Sequence, residues 1–306
     1  MLSYFVRRVL YTIPLLFVLA VVTFLLMHAV PGGPFSGEEK PLPPVVVERL
    51  MKYYHLDEPL WKQFTDYLWN VLHGNLGPSY MQYGRTVNEI IKDHLPVSAQ
   101  LGVLALLVAI VIGIPMGIIA ALRQNTFIDY MCMSFAVAGV SIPAMALGPL
   151  LIYIFGVKLH WLPVARWESW RHMILPACTL GIGHSAIIAR LTRASLLQIL
   201  RKDFIRTAWA KGLSGSRVIL VHALRNALIP VVTVLGPMFA ALVTGTLVVE
   251  QIFSIPGLGR FFVYSITDRD YPVIMGVTLL YGVIIVAMNF VVDLTYAFLD
   301  PRITYD

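Results

Sequence analysis

Residues 99–121 read AQLGVLALLVAIVIGIPMGIIAA, a run without a single charged side chain. Wound as an α-helix at 1.5 Å per residue, it is roughly 34 Å long, enough to cross a hydrocarbon core of about 30 Å. A bilayer offers no water to backbone N–H and C=O groups, so such a segment satisfies them internally as a helix. Further runs of spanning length lie at 9–30, 131–156, 173–189, 229–249 and 276–299. The fourth, 173–189, is the most polar, with Pro176, His184 and Ser185. The prediction is an all-α integral membrane protein of about six transmembrane helices.

Composition agrees. Hydrophobic residues make up 58% and charged residues 13%, with a mean hydropathy of +0.75; soluble domains carry roughly 45–50% and about 25%. Gly113, Pro115, Gly117, Gly139, Pro143, Gly148 and Pro149 fall inside predicted spans. Such residues are tolerated there when neighbouring helices pack closely and cover the freed backbone groups. Bends and close helix contacts are therefore expected.

The first run follows Arg7 and Arg8 and is longer than the 7–15 apolar residues of a secretory signal, so it is read as an uncleaved span. Placing the N-terminus in the cytoplasm puts Arg7, Arg8, Arg123 and Arg302 inside. Eight more of the 23 Lys/Arg residues fall inside at 190–228, facing one carboxylate there, Asp203. Lys and Arg concentrate in cytoplasmic loops, so both termini are expected to be cytoplasmic. The formal charge of +6 is then a matter of orientation and anionic lipid, and no nucleic-acid partner is expected.

The divisions that follow are an N-terminal span (1–30), an extracytoplasmic segment (31–96), a membrane core (97–299) that includes the cytoplasmic loop 190–228, and a tail (300–306). In the outer segment a helix is predicted near 45–54. A second follows Asp57-Glu58-Pro59, with Trp61, Phe64, Leu68, Val71 and Leu72 on one face. That face reads as an amphipathic helix packed on the mouth of the bundle. Cys132 and Cys178 lie in apolar runs without metal-ligand spacing and read as packing residues; no metal site is expected. His184, Ser185, Thr244, Glu250, Asn289 and Asp293 are the polar groups in or beside spans. Such groups are functional candidates by default, yet each has an equally good structural role, and none is assigned to substrate.

The loop carries the most information. Residues 190–230 read RLTRASLLQILRKDFIRTAWAKGLSGSRVILVHALRNALIP. From 194 to 211, Leu197, Leu200, Phe204, Ile205 and Ala208 return at helical spacing. Gly212 supplies the left-handed stop that only glycine adopts cheaply, and Ser214 or Ser216 can start the next helix. A helix–turn–helix this small has no core of its own and must bury its apolar face elsewhere. Ala208, Ala210 and Gly212 leave the turn open to a partner. Attachment to spans at both ends excludes a DNA-binding reading. Gly212-Leu213-Ser214-Gly215 matches the GxSG pattern of intramembrane serine proteases, but in a polar loop it provides no buried nucleophile. Arg190 and Arg193, beside the span, are expected to set orientation or meet anionic lipid.

Arg206-Thr207-Ala208-Trp209-Ala210-Lys211-Gly212-Leu213, followed by His222-Ala223-Leu224-Arg225-Asn226-Ala227-Leu228-Ile229-Pro230, resembles the coupling loop of ABC importer permeases of the dipeptide/oligopeptide/nickel branch. The general pattern of that loop is Glu-Ala-Ala, three residues, then Gly. Gly212 and Ala208 match it, while Arg206 and Thr207 replace the Glu and first Ala. Arg7-Arg8, Pro31-Gly32, Val248-Val249-Glu250, Pro256-Gly257-Leu258-Gly259, Arg269-Asp270-Tyr271-Pro272 and Asp300-Pro301-Arg302 extend the resemblance along the whole chain. Gly33-Pro34-Phe35-Ser36-Gly37-Glu38 and Tyr54-His55-Leu56-Asp57 are similar to the first permease of oligopeptide systems.

The resemblance implies a type-I ABC importer permease in the cytoplasmic membrane of a bacterium or archaeon. It implies a second homologous permease subunit, two cytoplasmic ABC ATPase subunits and an extracytoplasmic peptide-binding protein. Residues 206–213 would be the ATPase-coupling element, with ATP and Mg2+ on the ATPases and no cofactor on this chain, which carries no GxxxxGK[ST] phosphate loop. Oligopeptides would be the cargo, with dipeptide, glutathione and nickel permeases as the alternatives in the branch. A secondary transporter, the alternative of another class, would show inverted repeats and intramembrane charge networks; neither stands out.

Overall fold

The computed structural model describes residues 2–35 and 43–299, with side chains from 10 to 294. Ser36, Gly37 and Glu38, the tail with Asp300-Pro301-Arg302, and the side chains of Arg7 and Arg8 lie outside the described residues. The helices are α1 (Leu2–Ala29), α2 (Pro44–Tyr53), α3 (Leu60–Leu72), α4 (Val87–Leu122), α5 (Phe127–Ser141) and α6 (Ala144–Leu151), which runs on as a π-helical segment, Ile152–Lys158. Next come α7 (Trp170–Leu200), α8 (Asp203–Ala210), α9 (Gly215–Arg217), a second π-helical segment (Val218–Ala223), α10 (Leu224–Ala227), α11 (Ile229–Thr244), α12 (Leu247–Ile252), α13 (Leu258–Thr267) and α14 (Tyr271–Leu299). The described residues contain no strand.

Among the described residues four helices are long and apolar enough to cross a membrane, and the number reaches the expected six if each of two bent pairs is one span. The third predicted span, 131–156, is not straight: α5 and α6 meet at 103°. Pro143 is the cause. Its ring crowds the preceding residue out of helical space, and Ile142 is accordingly extended at φ −90°, ψ 113°. The fifth span ends at Thr244 instead of 249, because Gly245 and Thr246 separate α11 from α12. The second begins at Val87, well before 99. Its start is a capping box: the Thr86 amide donates to Glu89 Oε2 (2.9 Å) and the Glu89 amide donates to Thr86 Oγ1 (3.3 Å).

The chain divides into two compact units, the first running to Val97 with Gly257–Val286, the second holding Ser98–Pro256 and the last helix from Ala287. In the first unit Ala20, Phe24 and Met27 of α1 pack on Tyr271, Ile274 and Met275 of α14, with Phe64, Tyr67 and Leu68 of α3 against them. The Arg269-Asp270-Tyr271 stretch stitches this unit together. Arg269 donates to Pro31 O (2.9 Å), and the Tyr271 hydroxyl donates to Met27 O (3.4 Å). Buried Asp270 accepts from Ser79 Oγ and from the Tyr80 (3.1 Å) and Met81 (3.3 Å) amides. On α3, Trp61 and Leu72 do not join the packed face as expected; they are 70% and 80% exposed.

In the second unit α4 and α7 touch backbone to backbone. A Cβ on Gly113 would lie 2.6 Å from Ser185 O, and one on Gly117 2.5 Å from Ala189 O. This Gly-x-x-x-Gly pair on one helix face permits the approach. Gly181 of α7 returns it, 2.6 Å from Ala105 O.

Candidate functional site

The loop region is built on a shared apolar core. α7 continues to Leu200, eleven residues beyond its predicted end, and breaks at Arg201 and Lys202; Lys202 is extended at φ −76°, ψ 150°. The single helix expected over 194–211 is therefore two. The break decides which residues of α8 face inward. Ile205 and Ala208, one turn apart, are buried against Leu196 of α7, Ala121 at the end of α4, and Val218, Ala223 and Ala227 of the returning strand of helix. Asp203 stands in the first turn of α8, where a carboxylate favours the helix dipole.

α8 ends as expected. Gly212 has φ +74°. Its amide donates to Trp209 O (2.9 Å), and the Leu213 amide reaches back to Ala208 O (3.4 Å), the two bonds of a Schellman stop. Leu213 completes the motif by packing on the same core. Trp209 then leans over the start of the next helix, its Cη2 atom 3.1 Å from the place of a Cβ on Gly215. Ser214 occupies the cap position of α9, and its side chain makes no capping bond. The π winding of Val218–Ala223 brings Val218 and Ala223, five residues apart, into one core.

What remains outside is a surface with a small centre and aromatic rims. Thr207, Ala210 and Arg206 are exposed, Phe204 is 45% and Trp209 50% exposed, and Lys211 and Gly212 follow at the turn. Arg206 pairs loosely with Asp203 at 3.5 Å. Of the eight residues assigned to coupling, Arg206, Thr207, Trp209, Ala210, Lys211 and Gly212 are exposed, and Leu213 is half-buried. Ala208 is buried, so it does not open the turn to a partner; it seats α8 on the core. The helix packs on the ends of α4 and α7 through the side chains of this shared core.

Sequence reading missed the tie beside this site. Arg193 does not face lipid: its Nε and Nη2 donate to the two carboxylate oxygens of Asp129 at 2.7 and 2.6 Å. Asp129 is buried and also accepts the Asn125 amide (3.0 Å). The α4–α5 turn is thereby clamped to α7. The other polar candidates are mostly satisfied locally. His184 Nδ1 lies 2.9 Å from Leu180 O, Ser185 donates to Ile182 O (2.7 Å), and Thr244 donates to Ala240 O (2.9 Å). Glu250 is fully buried; its Oε1 accepts from Ser98 (2.5 Å) and Thr246 (2.6 Å), joining α4 to α12. Asn289 and Asp293 are half-buried on α14. Cys132 and Cys178 are free and half-buried.

Residues 113–305 match the family described as binding-protein-dependent transport system inner membrane component, and residues 1–102 match its N-terminal companion. The chain belongs to this family. The permease is 48% identical over 303 residues to the dipeptide transport system permease protein DppB of Bacillus subtilis, covering 99% of this chain and 98% of that one. It is 43% identical over the full length of both chains to the oligopeptide transport system permease protein OppB of Salmonella typhimurium. It also matches, at 43%, the glutathione transport system permease protein GsiC of Escherichia coli O6:H1, again over the whole of both chains. Among solved structures it resembles the MetNI methionine ABC transporter in an inward-facing form, with a TM-score of 0.56 at 16% identity, over 69% of this chain and 96% of that one. An amino acid ABC transporter gives a TM-score of 0.53 at 17% identity, over 68% and 92%. At such identities the likeness speaks for the fold, and the fold is that of the type-I importer permeases. The permease is thus an integral inner-membrane component.

Proposed function

We propose that this permease is one of two membrane subunits of an ATP-driven importer of peptides, and that α8 with its glycine stop is the element an ATPase subunit grips. The supporting observation is the division of α8 into two faces. Ile205 and Ala208 anchor it to the ends of α4 and α7, while Arg206, Thr207 and Ala210 stay exposed between Phe204 and Trp209. A push on the outer face is then delivered to two spans at once, and rigid-body motion of packed helices is how type-I gating would proceed. Coupling requires that the ATPase contact the helix differently in its two states.

The cargo proposal rests on the relatives, whose printed names are dipeptide, oligopeptide and glutathione permeases. All three are peptide cargoes, and full-length identities of 43–48% do not order them. The proposal is therefore for peptides as a class, wider than the oligopeptide expectation. ATP and Mg2+ belong on two cytoplasmic ATPases, since this chain has no phosphate loop. A second, homologous permease completes the pathway, and a peptide-binding protein delivers cargo from outside. The test is uptake of labelled di-, tri- and pentapeptides by cells with and without this chain. Loss of uptake of at least one peptide class on deletion, restored by the gene, is expected; unchanged peptide uptake with loss of a different solute overturns the reading.

A further inference from the structure

The helix α3 carries three arcs instead of the two of an ordinary surface helix. Phe64, Tyr67 and Leu68 pack inward on Ala20, Phe24 and Met27 of α1. Gln63, Asp66, Trp69 and Asn70 line a cavity of about 490 Å³. The third arc holds Trp61, Thr65 and Leu72, with Trp61 70% and Leu72 80% exposed. Exposed apolar surface of this kind has no structural role within the chain.

The depth of α3 along α1 indicates what covers it. The Phe64 ring lies 5.1 Å from Phe24 and 6.1 Å from Phe17, centroid to centroid. Phe17 sits deep within the apolar stretch Leu10–Ala29. At 1.5 Å per residue Phe24 stands roughly 8 Å and Phe17 roughly 18 Å from the end of the helix at Ala29, so a ring that touches both lies between those depths, and a leaflet's hydrocarbon is about 15 Å thick. Phe64 is therefore below the membrane surface, and α3 with it. We infer that α3 is an interfacial helix embedded in the outer leaflet, with Trp61, Thr65 and Leu72 facing lipid. The chemistry of each arc fits. Indole rings settle at the boundary of headgroup and acyl chain. The Thr65 hydroxyl is satisfied internally by Lys62 O (2.9 Å), and the Lys62 ammonium is paired with Glu58 at 2.6 Å. The polar arc turns to the cavity, and Lys62, at the edge of the lipid side, is neutralised by Glu58; this is the pattern of a helix lying in the interface plane.

The test uses the complete importer in lipid nanodiscs, with Cys132 and Cys178 changed to Ala and one spin label introduced at a time. Thr65→Cys and Asp66→Cys are the decisive pair, since they are adjacent in sequence, both exposed, and on different arcs. Leu72→Cys and Asn70→Cys repeat the comparison should either variant fail to assemble. Oxygen, which concentrates in hydrocarbon, should relax labels at 65 and 72 more than a water-soluble nickel complex does, with the order reversed at 66 and 70. A label at 65 relaxed chiefly by nickel, or shielded from both reagents by a protein partner, would overturn the assignment. The readout does not depend on what the importer carries.

Discussion

Trp209 and Gly215 meet across the turn that closes α8, the indole edge 3.1 Å from where a Cβ at 215 would stand. The ring bridges two helices that are linked in the chain only by Lys211-Gly212-Leu213-Ser214. A methyl group at 215 forces it to yield by a few tenths of an ångström, and a larger side chain displaces it. Gly215→Ala is expected to leave transport slightly reduced and Gly215→Leu to reduce it severely, measured as peptide uptake in reconstituted vesicles at equal permease content.

Gly212 offers a cleaner separation of backbone from bulk. A Cβ there meets nothing within 4 Å, but φ is +74°. Any penalty for Gly212→Ala is conformational, about 1–2 kcal/mol. Asparagine tolerates left-handed geometry better, so Gly212→Asn should retain more coupled uptake than Gly212→Ala although it is larger. The reverse order would show that space, not backbone geometry, governs this position.

Ala208 and Ala210 should respond to the same change in opposite ways. Ala208 is buried in the shared core and Ala210 is outside. Ala208→Leu overpacks the core at a cost of about 1–3 kcal/mol and should lower the thermal stability of the detergent-solubilised complex. Ala210→Leu should leave that stability unchanged and weaken ATPase association, measured by pull-down of the ATPase subunits.

The break after Leu200 takes Phe204 off the apolar stripe on which the sequence places it. A continuous helix from 194 puts Phe204, Ile205 and Ala208 on one stripe with Leu197; the kink at Arg201 and Lys202 rotates α8 so that Ile205 and Ala208 turn in while Phe204 stays 45% exposed. Gly212 was legible because left-handed geometry selects glycine by local sterics alone. Gly113 and Gly117 were legible as places of close helix contact because they lack a Cβ, and Pro143 as a bend, though not one of 103°. The Thr86 and Glu89 capping box was written in the sequence but lay outside the apolar run used to find the span. The Asp129 and Arg193 pair joins positions 64 apart, and nothing local marks either residue as the other's partner.

That pair predicts a stability effect. Asp129→Asn leaves the Arg193 guanidinium, 26% exposed, without its counter-charge. Removing one partner of a buried pair costs about 3–5 kcal/mol, and the partial exposure of Arg193 places the loss near or below the lower figure. The double variant Asp129→Asn with Arg193→Gln should recover part of it. A single variant with unchanged thermal stability in nanodiscs would contradict the clamp.

Asp270 makes a similar prediction on the other unit. Asp270→Ala removes the acceptor for Ser79 Oγ and for two backbone amides, and an orphaned buried donor costs about 1–3 kcal/mol. Hydrogen exchange at Tyr80 and Met81 should accelerate in the intact importer, with exchange along α8 unaffected.

The central claim is that the outer face of α8 transmits ATPase motion to the spans, and the most direct measurement is peptide uptake and ATP hydrolysis recorded together for the reconstituted importer carrying Ala210→Trp. Position 210 is exposed and outside the shared core, so the variant should insert and fold normally. Uptake should be lost, and the stimulation of hydrolysis by peptide-loaded binding protein should disappear with it. Wild-type uptake with wild-type stimulation would contradict the claim.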